Sequence, residues 1–354
     1  MKRMTRRLLA MLLAALMMVS ALPVYAAGDE APAQDDPWMD YAQEHLGNTL
    51  PFMREEELSF LEPGCQVYLG KRLSIYNPQH VGELDYAMYP VFADGNVVAI
   101  ATITEDENGD LNFEVGPTFA NELNKFITDN PSIALVVDGN SIQAINDRGE
   151  VKVLSSLQPV IFPVFYSLTA DMNFTQVIPV CAVQEVPQSK AVGEDSGTVR
   201  VQYVPQNGLP LCWASCMASI VNYFNGTSYS ATSLADYLGV KYEGQKSTDC
   251  RQWYKNKFGL NCSLVLKALS YDYVYNQAYN GKPLDVELLG TDDSGQNRGH
   301  GVVVRGCYIS NSVVYYRIMD PNHGFRSVQM RSDGKFVLKV SGITLVQYRY
   351  IEFV

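Results

Sequence analysis

The sequence predicts an α+β protein with two regions, and three observations support this fold class. Apolar segments alternate with turn signals from about residue 37 to residue 187, which indicates a mainly antiparallel β region. Apolar side chains then recur at helical spacing after residue 212, and strand-like segments follow from residue 283 to residue 353. Helices followed by an antiparallel sheet are typical of an α+β domain with a cleft between its halves. The polar segment 188–199 contains Gly and Ser and is the clearest linker between the regions.

The first 26 residues have the pattern of a secretory signal peptide. Four basic residues lie within the first seven positions, an apolar stretch covers 8–22, and Val-Tyr-Ala26 offers a small-residue cleavage site. The alternative, a transmembrane anchor, would need a longer apolar stretch. We therefore expect a secreted bacterial protein that keeps no stable membrane anchor after cleavage.

Charge is unevenly distributed between the two regions. Residues 27–196 hold 7 Lys/Arg and 27 Asp/Glu, a net charge of −20, whereas residues 197–354 hold 16 and 11, a net charge of +5. Opposite net charges predict that the regions attract each other. A solvated acidic surface without a partner is the alternative. We expect no nucleic-acid partner.

The N-terminal region shows strand and turn signals but no catalytic set of residues. His45 and His80 are its histidines, and neither lies beside a nucleophile signature, so we expect structural or surface roles for both. One short amphipathic helix is expected at 118–128. Strands are expected within 88–103 (as a hairpin around 93–96), and at 111–115, 133–137, 141–145, 151–154, 158–168 and 176–183.

One helix organises the C-terminal region. Its apolar stripe consists of Trp213, Met217, Ile220, Val221 and Phe224. Asn225-Gly226 is the stop signal. Cys212 therefore lies in the first turn, where unpaired backbone N–H groups and the helix dipole favour an anion such as a nucleophilic thiolate. Gln206 lies six residues upstream, and its side-chain amide can donate to an oxyanion together with the Cys212 backbone N–H.

Two further helices and a series of strands complete this region. The helices are predicted at 230–238 and 248–258. The strands are predicted at 283–289, 301–309, 313–319, 325–330, 336–340 and 343–353.

A cysteine nucleophile needs an imidazole base, and the C-terminal region has two histidines. His300 stands between Gly299 and Gly301 at the start of a predicted strand, so we expect it to face the cleft as the base. A structural histidine at a strand edge is the alternative. His323 lies in the turn 320–324, and we expect it to be a loop residue.

The base in turn needs an acceptor that fixes its tautomer. Asp320 ends the strand after that of His300, and a hairpin turning at 310–312 would bring both to its outer ends, side by side. We therefore expect Asp320 to orient His300. The alternative is that Asp320 merely starts a turn.

The pattern Gln206-x5-Cys212-Trp-Ala, with the later Gly-His300 and Asp320-Pro, resembles the papain-like cysteine peptidase superfamily, especially its short secreted bacterial, staphopain-like branch. The resemblance covers roughly residues 200–354. It implies a papain-like domain with a Cys212–His300–Asp320 triad and Gln206 in the oxyanion hole. Plant-type members carry a cysteine where this chain has Leu209, so the usual disulfide cannot be carried over. Those members use an Asn as the orienting residue, so the resemblance makes Asn322 the alternative to Asp320.

The resemblance also implies a zymogen. Secreted bacterial members are commonly made with a pro-region that covers the cleft. The expected organisation is a signal peptide at 1–26, an acidic pro-region at 27–187, a linker with maturation cleavage at 188–199 and a peptidase domain at 200–354. No cofactor or metal is implied, and the partners are a protein or peptide substrate and the chain's own pro-region. A cell-wall (peptidoglycan) amidase or endopeptidase and an inactive secreted binding module are the alternative functions.

Seven cysteines are an odd number for an exported protein, so at least one is expected to be unpaired. Cys216 lies one helical turn after Cys212, without the upstream glutamine spacing. We expect it in the core or in a disulfide, with Cys250 or Cys262 as candidate partners. No CxxC pair occurs, so a zinc site has little support.

Overall fold

The computed structural model describes residues 36–354 except 63, 79, 81–83, 140, 157–171, 187–194 and 293. Several sequence predictions therefore lie outside the described residues: the signal peptide, the leader up to residue 35, the strand at 158–168 and most of the linker.

The described chain is α+β and its strand pairing is mostly antiparallel, which confirms the α+β part of the predicted fold class. Its helices are α1 (Pro37–Glu55), α2 (Ala120–Ile127), α3 (Cys212–Asn225), α4 (Ala231–Leu238), α5 (Ser247–Phe258) and α6 (Tyr271–Tyr279). The strands of the N-terminal region and the linker are β1 (Val67–Gly70), β2 (Ile75–Tyr76), β3 (Tyr86–Ala93), β4 (Asn96–Glu105), β5 (Leu111–Gly116), β6 (Ser132–Val137), β7 (Ser141–Asn146), β8 (Val151–Ser156), β9 (Thr175–Gln176), β10 (Pro179–Ala182) and β11 (Asp195–Thr198). Those of the C-terminal region are β12 (Cys262–Val265), β13 (Leu284–Thr291), β14 (Asn297–Ser310), β15 (Val313–Asp320), β16 (Gly324–Gln329), β17 (Val337–Val340) and β18 (Ile343–Phe353).

One large sheet runs through both regions. Its strand order is β10-β1-β3-β4-β5-β16-β15-β14-β13-β18-β12, with β11 beside β14 and β17 beside β18. The N-terminal part of this sheet joins the C-terminal part where β5 pairs with β16. A second sheet of five strands, order β2-β6-β7-β8 with β9 beside β6, belongs to the N-terminal region alone. The sequence did not predict that the two regions share a sheet.

Helix α1 is the main departure from the sequence prediction, which expected strands in this part of the chain. The Asp36 side chain accepts a hydrogen bond from the Trp38 N–H at 3.1 Å, and Pro37 occupies the first turn, where its missing N–H costs nothing. Pro51 lies inside the helix, and buried polar residues such as Asn48 blur its apolar stripe. The helical pattern was therefore weak in the sequence.

Most C-terminal elements agree with the prediction to within a few residues. Helices α3, α4 and α5 are present, and β14 and β15 form the expected hairpin through Asn311 and Ser312, both at positive φ. The sequence missed β12 and α6. Helix α6 is rich in tyrosine, which favours strands, but Ser270 caps it by accepting a hydrogen bond from the Tyr273 N–H.

The C-terminal end of the predicted linker 188–199 is a strand of the large sheet. Residues 195–198 form β11, which pairs with β14 at Tyr308 and Gly306. Asp195 also forms an ion pair with the buried Arg317 at 2.6 Å. This end of the predicted linker is thus anchored to the sheet. Within the part of the chain that the structure describes, no helix is long and apolar enough to cross a bilayer.

Candidate active site

A tight loop delivers Cys212 to the start of α3. The chain turns at Asn207 and Gly208, both at positive φ, and the Leu209 N–H donates to the Gln206 carbonyl at 3.1 Å. Glycine adopts this left-handed conformation without strain. Leu211, the residue before the helix, offers no side-chain acceptor to the first turn. The first backbone N–H groups of α3 therefore remain available to an anion beside Cys212.

His300 lies on β14, close to Cys212. A Cβ atom at the neighbouring Gly301 would lie 3.6 Å from the Cys212 carbonyl carbon and 3.4 Å from the Cys216 sulfur, which shows how near β14 passes to the helix start. The Cys212 side chain lies close enough to His300 to contribute to the raised pKa of that histidine. Cys212 is half-buried, whereas His300 is only 4% exposed, so the thiol is the more accessible of the two groups.

Asp320 holds the opposite side of the His300 ring. Its Oδ1 lies 2.9 Å from His300 Nε2, which leaves Nδ1 as the ring nitrogen that can serve Cys212. A bulge at Arg305 shifts the β14–β15 register, with Val303 opposite Met319. His300 and Asp320 are therefore diagonal neighbours on one face of the hairpin rather than directly opposite each other.

Asp320 is completely buried and accepts several hydrogen bonds. Oδ2 contacts His323 Nδ1 at 3.2 Å and Arg326 Nη1 at 3.2 Å, while Oδ1 also accepts from the Asn322 backbone N–H at 2.9 Å. Burial alone would raise the pKa of Asp320, but His300 and His323 outweigh burial and hold that pKa well below its usual range. Asp320 is therefore a carboxylate at neutral pH.

The contact with Asp320 also determines the pKa of His300. Burial alone would lower the pKa of His300, but the Asp320 carboxylate and the Cys212 side chain outweigh it and raise that pKa to about 10. His300 is thus an imidazolium at neutral pH, held between the Cys212 side chain and a carboxylate. This arrangement suits a thiolate–imidazolium pair.

Gln206 is held near this cluster by its backbone. Its N–H donates to the Pro321 carbonyl at 3.2 Å, so the loop before Cys212 is tied to the turn after Asp320. The side chain is 3% exposed, and its Oε1 has no hydrogen-bond partner among the described residues. The fold therefore brings all four predicted residues to one place: Cys212, His300, Asp320 and Gln206.

Asn322 and His323, which the sequence analysis gave secondary roles, both lie beside Asp320. Asn322 contacts Asp320 through its backbone, and its side-chain Nδ2 has no partner among the residues described here. His323 does lie in the turn, but it is 3% exposed and bonds to Asp320 and to Ser155 Oγ. Arg326 was missed altogether; its one signal was a charged residue inside a predicted strand.

The other cysteines are unsuited to chemistry at this site. None of the seven cysteines, all within the described residues, forms a disulfide. Cys216 and Cys250 are buried, and burial raises the pKa of both thiols well above the usual value. The structure thus places Cys216 in the core, one of the two alternatives that the sequence left open.

An open groove of about 250 Å³ adjoins the site. One wall is the end of β8, at residues 153–156, and the other contains Tyr203, Asn207, Gly208 and Asn322. The N-terminal region therefore borders the cleft beside the Gln206 loop. Across the described ranges, no group of three or more His, Cys, Asp or Glu could hold a metal ion.

Comparisons with known proteins add little to this geometry. No protein-family model and no curated protein matches the chain. A solved structure from a study of antibody cross-reactivity between the mite allergens Blo t 1 and Der p 1 is similar at 14% identity and a TM-score of 0.30, over 48% of this chain and 74% of that one. A likeness this weak carries no argument about fold or function.

Proposed function

We propose that the protein is a secreted cysteine endopeptidase of the papain-like type, made as a zymogen. One observation carries the proposal. Cys212 begins a helix at the point where β14 passes it, and His300 of that strand has its Nε2 held 2.9 Å from the buried Asp320 carboxylate. A thiol, an imidazole and an orienting carboxylate in this order are the parts that acyl transfer to cysteine needs.

The reaction proceeds in two steps. The Cys212 thiolate attacks the carbonyl carbon of a peptide bond, and negative charge develops on the carbonyl oxygen. The Gln206 amide and the Cys212 backbone N–H stabilise that oxyanion. The His300 imidazolium gives its proton to the leaving amine as the C–N bond breaks. Neutral His300 then takes a proton from water, which attacks the thioester and releases the acid.

The zymogen part of the proposal is supported by charge and by position. The acidic N-terminal region is joined to the basic C-terminal region through 188–199, and β8 borders the groove beside the Gln206 loop. Cleavage within this linker would produce two polypeptides of opposite net charge. Export by the signal peptide at 1–26 would place the enzyme outside the cell.

Hydrolysis of a mixture of synthetic peptides, read by mass spectrometry, tests the function. The purified chain is compared with Cys212→Ala and with Cys216→Ala, which removes the buried thiol one helical turn away. We expect new internal cleavage in the wild type and in Cys216→Ala but none in Cys212→Ala. Cleavage that survives in Cys212→Ala would contradict the proposal. Release of stem-peptide fragments from peptidoglycan, without cleavage of linear peptides, would identify a cell-wall enzyme instead.

A further inference from the structure

We propose that the N-terminal region is a permanent subunit of the enzyme, which stays bound after the linker is cut and holds Asp320 in place through Glu114 and Arg326. The proposal rests on the peptidase function above, since only for a peptidase is cleavage of the linker a maturation step. In this view the N-terminal region is not a pro-region that detaches after cleavage but a part of the enzyme that supports the active site. Backbone pairing, a shared core and buried ion pairs each contribute to the argument.

The backbone of the C-terminal sheet continues into the N-terminal region. Strand β5 pairs with β16, with Val115 opposite Ser327 and Glu114 opposite Val328. The side chain of Gln329, at the end of β16, accepts hydrogen bonds from the Tyr41 hydroxyl at 2.7 Å and the Phe113 N–H at 3.1 Å. Loss of the N-terminal region would leave β16 as an unpaired sheet edge next to the strand of Asp320.

Two tyrosines of the C-terminal region belong to the core of the N-terminal region. Tyr308 stacks on Phe52 with ring centroids 3.8 Å apart, and the Tyr315 hydroxyl bonds to His45 Nδ1 at 2.8 Å. Both tyrosines are fully buried, in a cluster whose other buried members all belong to the N-terminal region. Buried aromatic side chains are the strongest anchors of protein interfaces. Without the N-terminal region, the C-terminal region would therefore expose these two buried aromatic side chains to solvent.

Buried cations of the C-terminal region find their carboxylates in the N-terminal region. Arg305 is paired with Glu57 at 2.5 Å, with side chains 2% and 1% exposed. Lys339, whose side chain is 3% exposed, is paired with Asp85 at 2.7 Å. Opposite net charges of the two regions agree with these pairs. The Arg305–Glu57 pair is buried on both sides and is therefore screened little by salt, whereas the Asp85 side chain is 47% exposed.

The contact reaches the catalytic carboxylate. Glu114 Oε1 lies 2.7 Å from Arg326 Nη2, and Arg326 Nη1 lies 3.2 Å from Asp320 Oδ2. The other side chain on Oδ2, His323, bonds through its second ring nitrogen to Ser155 Oγ at 3.1 Å. Both side chains that hold Asp320 Oδ2 are thus held in turn by the N-terminal region. Glu114 and Ser155 act as positioning residues for the carboxylate that orients His300.

The first test asks whether the two pieces stay together. A recognition sequence for a specific protease is inserted between residues 190 and 191 of Cys212→Ala, so that self-cleavage plays no part. The chain is cut, diluted to nanomolar concentration in high salt and separated by gel filtration, with uncut chain alongside. We expect the two pieces to co-elute with the uncut chain and to separate only in denaturant. Separation in native buffer would overturn the proposal and leave the peptidase function untouched.

The second test asks whether the N-terminal region positions Asp320. Glu114→Gln is expected to lower kcat by roughly 10- to 100-fold with little change in KM, because a small displacement of catalytic groups costs this much. Unopposed positive charge on Arg326 disfavours the His300 imidazolium, so the alkaline limb of the kcat–pH profile should move to lower pH. Ser155→Ala removes one neutral hydrogen bond and should act in the same direction, less strongly.

Asp106→Asn is the matched control for Glu114→Gln. Asp106 also pairs across the two regions, with Arg331 at 3.2 Å, but among the described residues none of its hydrogen-bond or ion-pair partners contacts Asp320. We expect its kcat and pH profile to equal those of the wild type. Equal losses in both variants, or an unshifted pH profile in Glu114→Gln at full folding, would show a merely structural role and overturn the positioning claim.

Discussion

Replacement of Asp320 by Asn gives a quantitative test of the charge on the orienting residue. Asn can still accept a hydrogen bond from His300 Nε2, so the ring need not move, but it carries no charge to stabilise the imidazolium. The pKa of His300 is about 10, against an ordinary value of 6.5. That difference corresponds to at most about 5 kcal/mol of preference for the imidazolium, part of which comes from Cys212. We therefore expect kcat to fall by about 10²- to 10⁴-fold.

The pH profile separates this mechanism from simple loss of folding. With Asp320 present, the imidazolium persists until the pH approaches about 10. In Asp320→Asn the alkaline limb of kcat should move by several pH units toward neutrality. Peptide hydrolysis by purified protein across the pH range is the assay, with thermal unfolding measured alongside because Arg326 and His323 lose a buried partner.

Asn322→Ala supplies the comparison, since Asn322 was the second candidate for the orienting residue. Its side-chain Nδ2 has no partner among the described residues, so its removal should leave kcat within a few-fold of the wild type. A folded Asp320→Asn variant with wild-type kcat and an unmoved alkaline limb would refute the reasoning. So would a larger loss of kcat in Asn322→Ala than in Asp320→Asn.

Three further predictions follow from particular contacts. Gln206→Ala should lower kcat by about 10²- to 10³-fold with little change in KM, as expected for a lost oxyanion donor; steady-state kinetics with an unchanged kcat would remove Gln206 from the site. Burial lowers the pKa of His45 to about 4, so the unfolded chain binds more protons than the folded chain between about pH 6.5 and 4. Stability should therefore fall as pH drops through this window, by up to about 3 kcal/mol from His45 alone, and urea unfolding should show a shallower acid slope in His45→Phe. Self-processing should produce a fragment that begins at or before Asp195, because β11 and the Asp195–Arg317 pair hold the chain from that residue onward; N-terminal mass spectrometry showing cleavage after Thr198 would contradict this.

The sequence could indicate which candidate residues lie near each other where they are close along the chain, for physical reasons. The six-residue spacing from Gln206 to Cys212 is set by one loop and one helix start. His300 and Asp320 belong to one hairpin, so turn geometry alone brings them near each other. Such relations involve residues close in the sequence, where spacing and secondary structure fix position.

Relations between distant parts of the chain were not predictable in the same way. The pairing of β5 with β16 joins residues more than 200 positions apart, and no periodicity in either strand specifies its partner. In the sequence, nothing distinguishes Glu114 from the other acidic residues of this region. In the fold, it is buried and paired with Arg326. Helix α1 was missed because Pro51 and buried polar side chains weaken its pattern, and tertiary packing decides its conformation.

The most direct test of the central claim is the rate at which iodoacetamide alkylates each cysteine at mildly acidic pH, followed by mass spectrometry in the wild type and in His300→Ala. A thiolate paired with the His300 imidazolium predicts that Cys212 reacts before the other six cysteines. It also predicts that the Cys212 rate falls by about tenfold or more when His300 is removed. Equal Cys212 rates in the two proteins, or faster alkylation of another cysteine in the wild type, would contradict the assignment of Cys212 and His300 as a catalytic pair.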